Sequence, residues 1–285
     1  MSLVPSYLRL ALRISRFRFW IYTAGTYVVG YALGASQLQD FLQPDYFVYL
    51  LYFFFPANLL IYGINDFWDE ETDRLNPKKD GKEVRVSHEQ RRALLRLLYV
   101  VIGLSLLLML FQDWTERGIF ALFLFLSYGY SAPPLRFKGR PILDSASNFL
   151  YVVPGVFAYY LASGELPPLI FVVAGFAHIF AMHLFSAIPD IDYDRGAGVR
   201  TGAVLMGRRT SLLVCLLCWG VLSAIVLYLA ELQPLSWLVL IYPTIPMALL
   251  MSQDLSVERI YWWFPYVNTT LGGLLWVSLV WSILG

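Results

Sequence analysis

Charge is what this sequence is short of. Only 14% of its 285 residues are Asp, Glu, Lys or Arg, against about 25% in an ordinary soluble domain. Histidine occurs three times and cysteine twice. Two cysteines exclude a disulfide scaffold and a four-cysteine zinc site. Cys215 and Cys218 sit in a run of Leu and Trp, where packing in an apolar helix explains them better than redox chemistry. The composition excludes a disordered chain and a coiled coil. A formal net charge of +1 gives no basic footprint for a nucleic-acid partner.

What is present is apolar. Hydrophobic residues make up 58% of the chain and the mean hydropathy is +0.60. Long continuous apolar runs, without ten-residue alternation, point to membrane helices and away from an outer-membrane barrel. A helix needs about 20 apolar residues to cross about 30 Å of hydrocarbon. Nine runs are read as spans, near 17–36, 44–65, 94–112, 117–131, 145–163, 167–188, 210–230, 234–252 and 262–284. Pro44, Pro167 and Pro234 open three of them, where a missing N–H costs little. The expected fold class is all-α: a polytopic membrane protein forming one domain over 1–285.

The basic residues fall on one side, as cytoplasmic loops require. With the N-terminus placed in the cytoplasm, the inner segments hold all but Arg117 of the 21 Lys and Arg residues. The bias predicts an odd number of spans. Residues 1–16 lack the apolar core and cleavage site of a secretory signal. Leu8, Leu12 and Ile14 among arginines predict an interfacial amphipathic helix instead. Outer loops are short, so chemistry is expected within the membrane or in the inner loops 66–93, 132–144 and 189–209.

Two acidic clusters stand at the inner ends of spans. Asn65, Asp69 and Asp73 are spaced i, i+4, i+8, on one helix face in successive turns, and Asp66 joins that face. Asp190 and Asp194 repeat the i, i+4 spacing at the end of the sixth span. Packed carboxylates repel and are costly at a membrane boundary unless cations neutralise them. Oxygen-only ligands suit Mg²⁺, which completes its shell with water and substrate phosphate. With Lys78, Lys79, Arg85, Arg136, Lys138 and Arg140 in nearby loops, the pattern predicts a diphosphate site. Asp192, Glu70 and Glu71 point off these faces and are read as solvated charge.

Polar residues also lie inside spans: Asn58, Asn148, His178, His183 and Asn268. Such residues usually face the bundle interior. Asn58, Asn148 and His183 are candidates to line a cavity, and each alone is accounted for by an interhelical hydrogen bond. Aromatics form 17% of the chain. Some belong to interfacial belts, and others can offer their π faces to a cation.

The segment Asn65-Asp66-x-x-Asp69-x-x-x-Asp73, followed by Arg74-Leu75-Asn76-Pro77, resembles the first motif of the UbiA-type intramembrane prenyltransferases. Asp190-x-x-x-Asp194-x-x-x-Gly198 resembles their second, and Tyr130-Ser131-Ala132-Pro133-Pro134-Leu135-Arg136-Phe137-Lys138 the loop after their fourth helix. The resemblance implies nine transmembrane helices around a central cavity, open sideways to lipid and capped by cytoplasmic loops. It implies Mg²⁺ bridging the acidic motifs to a prenyl diphosphate, with Asn65, Asp69, Asp73, Asp190 and Asp194 as metal-binding residues and Asp66 as a helper. Catalysis would rest on Asp69, Asp73, Asp190 and Asp194. Arg16 stands where members carry a basic residue that contacts diphosphate. Tyr130 matches the Tyr of a Tyr-Lys pair whose Lys position is Pro134 here, so Arg136 or Lys138 must substitute.

The stretch from Pro56 to Asp66, with Asn76-Pro77-Lys78-Lys79 and Lys82-Glu83-Val84-Arg85-Val86, looks most like the lycopene elongases within that family. That implies a dimethylallyl donor and a lycopene-type acceptor. Prenylation of an aromatic quinone precursor is the alternative. It would call for a cation inside the cavity, and no Lys or Arg lies in the middle of a span, although loop cations could reach a carboxylate near the cytoplasmic face. A transporter or lipid-binding protein is the distant alternative, disfavoured because the acidic motifs lie at a boundary rather than at mid-membrane.

Overall fold

The computed structural model describes residues 6–68, 88–252 and 254–284. Asp69, Asp73, Lys78, Lys79 and Arg85 lie outside the described residues. Those described form helices, turns and loops with no strand. The first helix, α1 (Ser6–Ile14), buries Leu10, Ala11 and Ile14 and exposes Leu8, Arg9, Leu12 and Arg13. Its buried side packs against α4 (Pro56–Trp68) and α5 (His88–Met109).

Two buried clusters organise the bundle. The first gathers α2 (Trp20–Gly34), α3 (Pro44–Phe54), α4, α5, α6 (Trp114–Ser131) and α8 (Val153–Ser163) around Tyr27, Tyr49, Tyr52, Phe53, Phe120 and Phe157. The second gathers α9 (Leu169–Ala187), α11 (Gly202–Leu229), α12 (Ile241–Met251) and the start of α14 (Phe264–Leu284) around Phe185, Trp219, Tyr242 and Phe264. Helix α2 packs on both α8 and α14 and so joins the two groups.

Buried polar groups tie neighbours together. Asn58 Nδ2 donates to Thr23 Oγ1 at 2.7 Å, and Thr23 Oγ1 donates to the Phe53 carbonyl at 2.6 Å. Tyr27 donates to the Tyr46 carbonyl at 2.9 Å, and the Tyr52 and Ser105 hydroxyls meet at 2.7 Å. In a bilayer each such bond spares a polar group from hydrocarbon.

The all-helical class is as expected, and six of the nine expected spans are met by long apolar helices. Among the described residues, six helical stretches are long and apolar enough to cross a membrane: Pro44–Trp68, Gln90–Met109, Leu169–Gly196, Gly202–Leu229, Pro234–Met251 and Val257–Leu284. The other three runs are shorter or broken. Helix α2 has 15 residues, because Phe17–Phe19 forms a separate 3₁₀ turn after Arg16 adopts φ 53°. Helix α6 spends its first turn on the polar Thr115, Glu116 and Arg117. The run 145–163 divides into α7 (Leu143–Ala146), a 3₁₀ turn over Ser147–Tyr151 and α8, where Pro154 lacks an N–H to continue the ladder. Gly207, at φ 74°, kinks α11 so that its first turn stands apart from the rest.

Helices α2 and α8 approach most closely at Gly30 and Gly155. A Cβ added to Gly30 would lie 2.6 Å from the Gly155 Cα, and one on Gly155 would lie 3.0 Å from the Thr26 carbonyl oxygen. Small residues permit this backbone contact. Gly30→Leu is expected to force the pair apart and cost about 1–3 kcal/mol. Thermal melting in detergent checks this: an unshifted transition would show that the seam is loose.

Candidate active site

The end of α4 collects cations from two distant parts of the chain. Because Arg16 takes a left-handed conformation between α1 and the 3₁₀ turn, its side chain turns back onto α4. Arg16 Nη2 pairs with Asp66 Oδ1 at 2.8 Å, with the side chains only 15% and 3% exposed. The same guanidinium lies 4.8 Å from the centre of the Tyr62 ring, one turn below Asp66. The Tyr62 hydroxyl meets that of Tyr151 at 3.1 Å.

The second cation comes from the loop after α6. Arg136 turns this loop with φ 40°. Lys138 Nζ then donates to Asn65 Oδ1 at 3.4 Å, and Ser131 Oγ donates to the same oxygen at 3.3 Å. Arg140 is spent on the loop itself, donating to the Pro134 carbonyl at 3.0 Å. Residues 16, 66, 65 and 138, scattered over the sequence, therefore share one region at the end of α4.

A bond from the neighbouring Tyr130 carries this region to α9. Its hydroxyl meets His183 Nε2 at 2.9 Å, and His183 Nδ1 meets Ser145 Oγ of α7 at 3.2 Å. Two turns beyond His183, Pro189 ends the α-helix in a 3₁₀ turn over Ile188–Asp190, and α10 (Ile191–Gly196) follows. Asp190 and Asp194 are half-buried, whereas Asp192 is exposed and pairs with exposed Arg195 at 3.3 Å. The i, i+4 pair thus faces the protein and Asp192 faces away, as their spacing anticipates.

The oxygen-only donor set of Asn65, Asp190 and Asp194 fits a hard divalent cation such as Mg²⁺. No group of three or more His, Cys, Asp or Glu side chains among the described residues could hold a metal ion. Asp69 and Asp73, which continue the α4 face in the sequence, lie outside them.

Other polar residues serve the scaffold. Asn58 is fully buried and spends its amide on Thr23 Oγ1 and the Phe53 and Phe54 carbonyls. Asn148 is buried and donates to the Asp144 carbonyl at 2.6 Å. Asn268 accepts from the Tyr242 hydroxyl at 2.7 Å and joins α12 to α14.

Asp144 was not singled out in the sequence, yet it is fully buried. Its Oδ2 accepts from the Gly202 N–H at the start of α11 at 2.9 Å. Its position at the edge of an apolar run was the available signal. Ser131 and Ser145 gave none, since short hydroxyl residues are common in membrane helices.

The profile of the UbiA prenyltransferase family matches residues 23–259. A "Lycopene elongase/hydratase" of Halobacterium salinarum is 40% identical over 271 residues, covering 95% of this chain and 96% of its own. One of Haloferax volcanii is 39% identical over 270 residues, covering 95% and 88%. A UbiA homologue from Archaeoglobus fulgidus has the same fold. Its structure with GPP and Mg²⁺ gives a TM-score of 0.70 at 20% identity, covering 95% of this chain and 99% of that one. Its structure with DMAPP and Mg²⁺ gives 0.68.

Removing one partner of a buried ion pair leaves the other charge uncompensated. Arg16→Ala is therefore expected to lower stability by about 3–5 kcal/mol. Denaturation of the protein in lipid–detergent micelles measures this, and an unchanged midpoint would show that the Asp66 carboxylate does not depend on Arg16.

Proposed function

The chain belongs to the UbiA prenyltransferase family, and from that premise we propose that it transfers a dimethylallyl group from its diphosphate to a lycopene-type carotenoid, with Mg²⁺ as cofactor. It is a multi-pass membrane prenyltransferase. The observation that carries the proposal is the convergence of Arg16 and Lys138 on Asp66 and Asn65. Two cations and the head of an acidic motif at a helix end form the receptor a diphosphate requires. The names of the two haloarchaeal relatives support the acceptor, and the diphosphates bound by the Archaeoglobus homologue support the donor.

In this proposal the shorter segments α2, α6 and α7–α8 complete nine crossings of a single domain, with the N-terminus and the site on the cytoplasmic side. Asn65, Asp69, Asp73, Asp190 and Asp194 hold the metal, helped by Asp66. Bound Mg²⁺ would supply charge neutralisation at the diphosphate oxygens. Arg16, Lys138 and Arg136 bind the same oxygens as the allylic C–O bond breaks, with Lys78, Lys79 and Arg85 drawn from the neighbouring loop. The half-buried rings of Phe19, Tyr22, Tyr62 and Tyr151 are in mutual contact on the inner side of this region. They exclude water and offer π faces to the allylic cation. A double bond of the acceptor then attacks, and proton loss or water capture ends the reaction.

Expression in lycopene-producing cells tests the acceptor. Carotenoids heavier by one or two five-carbon units are expected from the wild type and absent with Asp190→Ala. Unchanged lycopene beside folded wild-type protein would overturn the carotenoid acceptor and redirect the search to aromatic ones. In isolated membranes, chelation should abolish diphosphate release and added Mg²⁺ restore it. Lys138→Ala should raise the donor KM about tenfold, the effect of losing roughly 1.5 kcal/mol from a charge-assisted bond.

A further inference from the structure

A groove of about 380 Å³ lies between α1, α4 and α5. Tyr7 and Leu8 of α1, Leu59 of α4 and Leu97, Val100 and Leu104 of α5 line it. Apart from the Tyr7 hydroxyl, every side chain along it is apolar. Tyr7, Leu8, Val100 and Leu104 are exposed, so the groove is open to its surroundings. Its volume is at the small end of the roughly 300–1,000 Å³ of small-molecule sites, which suits one hydrocarbon chain rather than a whole lipid.

One end of the groove is cationic. Arg96 Nη1 donates to the Tyr7 hydroxyl at 2.9 Å, which puts a guanidinium on the rim with further N–H donors to offer. Arg92 lies one turn earlier on the same face of α5, and both arginines are exposed. Arg91 lies over the Phe67 ring at 4.4 Å, so the start of α5 stands beside the end of α4. Arg92 and Arg96 are thus at the end of the bundle where α4 carries its acidic motif. From there the groove runs along the apolar part of α5 as far as Leu104, about 12 Å of helix beyond Arg96. Cations above an apolar groove match the order of a phospholipid, with its phosphate at the interface and its chain below. Among the described residues no carboxylate pairs with Arg92 or Arg96. The sequence has no Asp or Glu before Asp40 and none from Gln90 to Gln112, so the field at the rim stays positive.

We propose that this groove binds one anionic phospholipid, with a chain between α1, α4 and α5 and the phosphate on Arg96 and Arg92. Exposed arginines at the edge of hydrocarbon favour an anionic headgroup over a zwitterionic one. The groove adds a fixed place for the chain, which an evenly charged surface lacks. A chain seated there covers Tyr7 and Leu8 and holds α1 on α4 and α5. Because α1 leads directly into Arg16, the lipid also steadies the segment that carries the Arg16–Asp66 pair. The site is separate from the reaction proposed above and does not depend on it.

Native mass spectrometry of the full chain in detergent micelles tests this, with phosphatidylglycerol and phosphatidylcholine of identical chains as probes. A single phosphatidylglycerol per chain is expected, held about tenfold more tightly than phosphatidylcholine, as a charge-assisted phosphate contact provides. Arg96→Gln should remove most of that preference. Arg13→Gln deletes the same charge from the opposite face of α1 from Tyr7 and should leave the preference nearly intact. Val100→Trp fills the groove and should weaken both lipids about tenfold. Glycerol phosphate, a headgroup without a chain, should not displace the lipid. Equal affinity of the wild type for the two lipids overturns the site. Equal losses from Arg96→Gln and Arg13→Gln also overturn it, because the attraction is then diffuse. Binding unchanged in folded Val100→Trp places the chain elsewhere and overturns it, and displacement by glycerol phosphate reduces it to an anion contact. Arg96 and Val100 are both exposed; if either variant fails to fold, the other decides together with the comparison of lipids on the wild type.

Discussion

A carboxylate held at 3% exposure beside a hydrocarbon layer must have a counter-charge within hydrogen-bond reach, and for Asp66 that charge is Arg16. The pair constrains much else. It requires the chain to turn sharply between α1 and α2, which Arg16 does through its left-handed backbone. It holds α1 against α4, where Leu10, Ala11 and Ile14 become buried. It also brings the guanidinium over Tyr62, so the positive charge stands at the junction of the acidic helix end and the aromatic interior. A lysine could not replace it in full, because its point charge cannot both pair with the carboxylate and lie flat over the ring.

The interior resolves a second conflict, between polar groups and a dry bundle. Most polar side chains there are closed by bonds between helices. Asn58 with Thr23, Tyr27 with the Tyr46 carbonyl and Tyr52 with Ser105 each bind two segments of the first cluster. Asn268 and Tyr242 do the same in the second. These contacts sit within the two clusters. The groups with chemistry to offer include Tyr62, Tyr130 and Tyr151, which pack against the first cluster, and the bond from Tyr130 to His183 links them to α9 of the second group.

Much of this was legible in the sequence. The helical class follows from apolar run lengths, and the lower exposure of Asp190 and Asp194 than of Asp192 follows from spacing. Asp190 and Asp194 face inward and Asp192 outward because a helix places i and i+4 together. Contacts between distant segments leave no periodic trace. Nothing in residues 9–18 marks Arg16 over its arginine neighbours as the partner of Asp66; only the family resemblance pointed to it. The Gly30–Gly155 contact and the Asp144–Gly202 bond are equally invisible. In three of the nine runs hydropathy and helix continuity part company. Pro154 and the polar first turn of α6 shorten helices without lowering the apolar content of their runs enough to show.

The Asp144 bond explains how two separate loops stay in register. Asp144 anchors the N-terminus of α11, the helix that follows the acidic turn at Asp190–Asp194. Its neighbour Ser145 holds His183, on the helix that precedes the same turn. The short helix α7 therefore grips the chain on both sides of the second acidic motif. It also lies just after the loop that carries Lys138 to Asn65. A carboxylate is a costly way to make such an anchor, since burial opposes its charge. Asn could accept the same bond at lower cost, but its amide would then need an acceptor of its own. A carboxylate accepts hydrogen bonds without that demand.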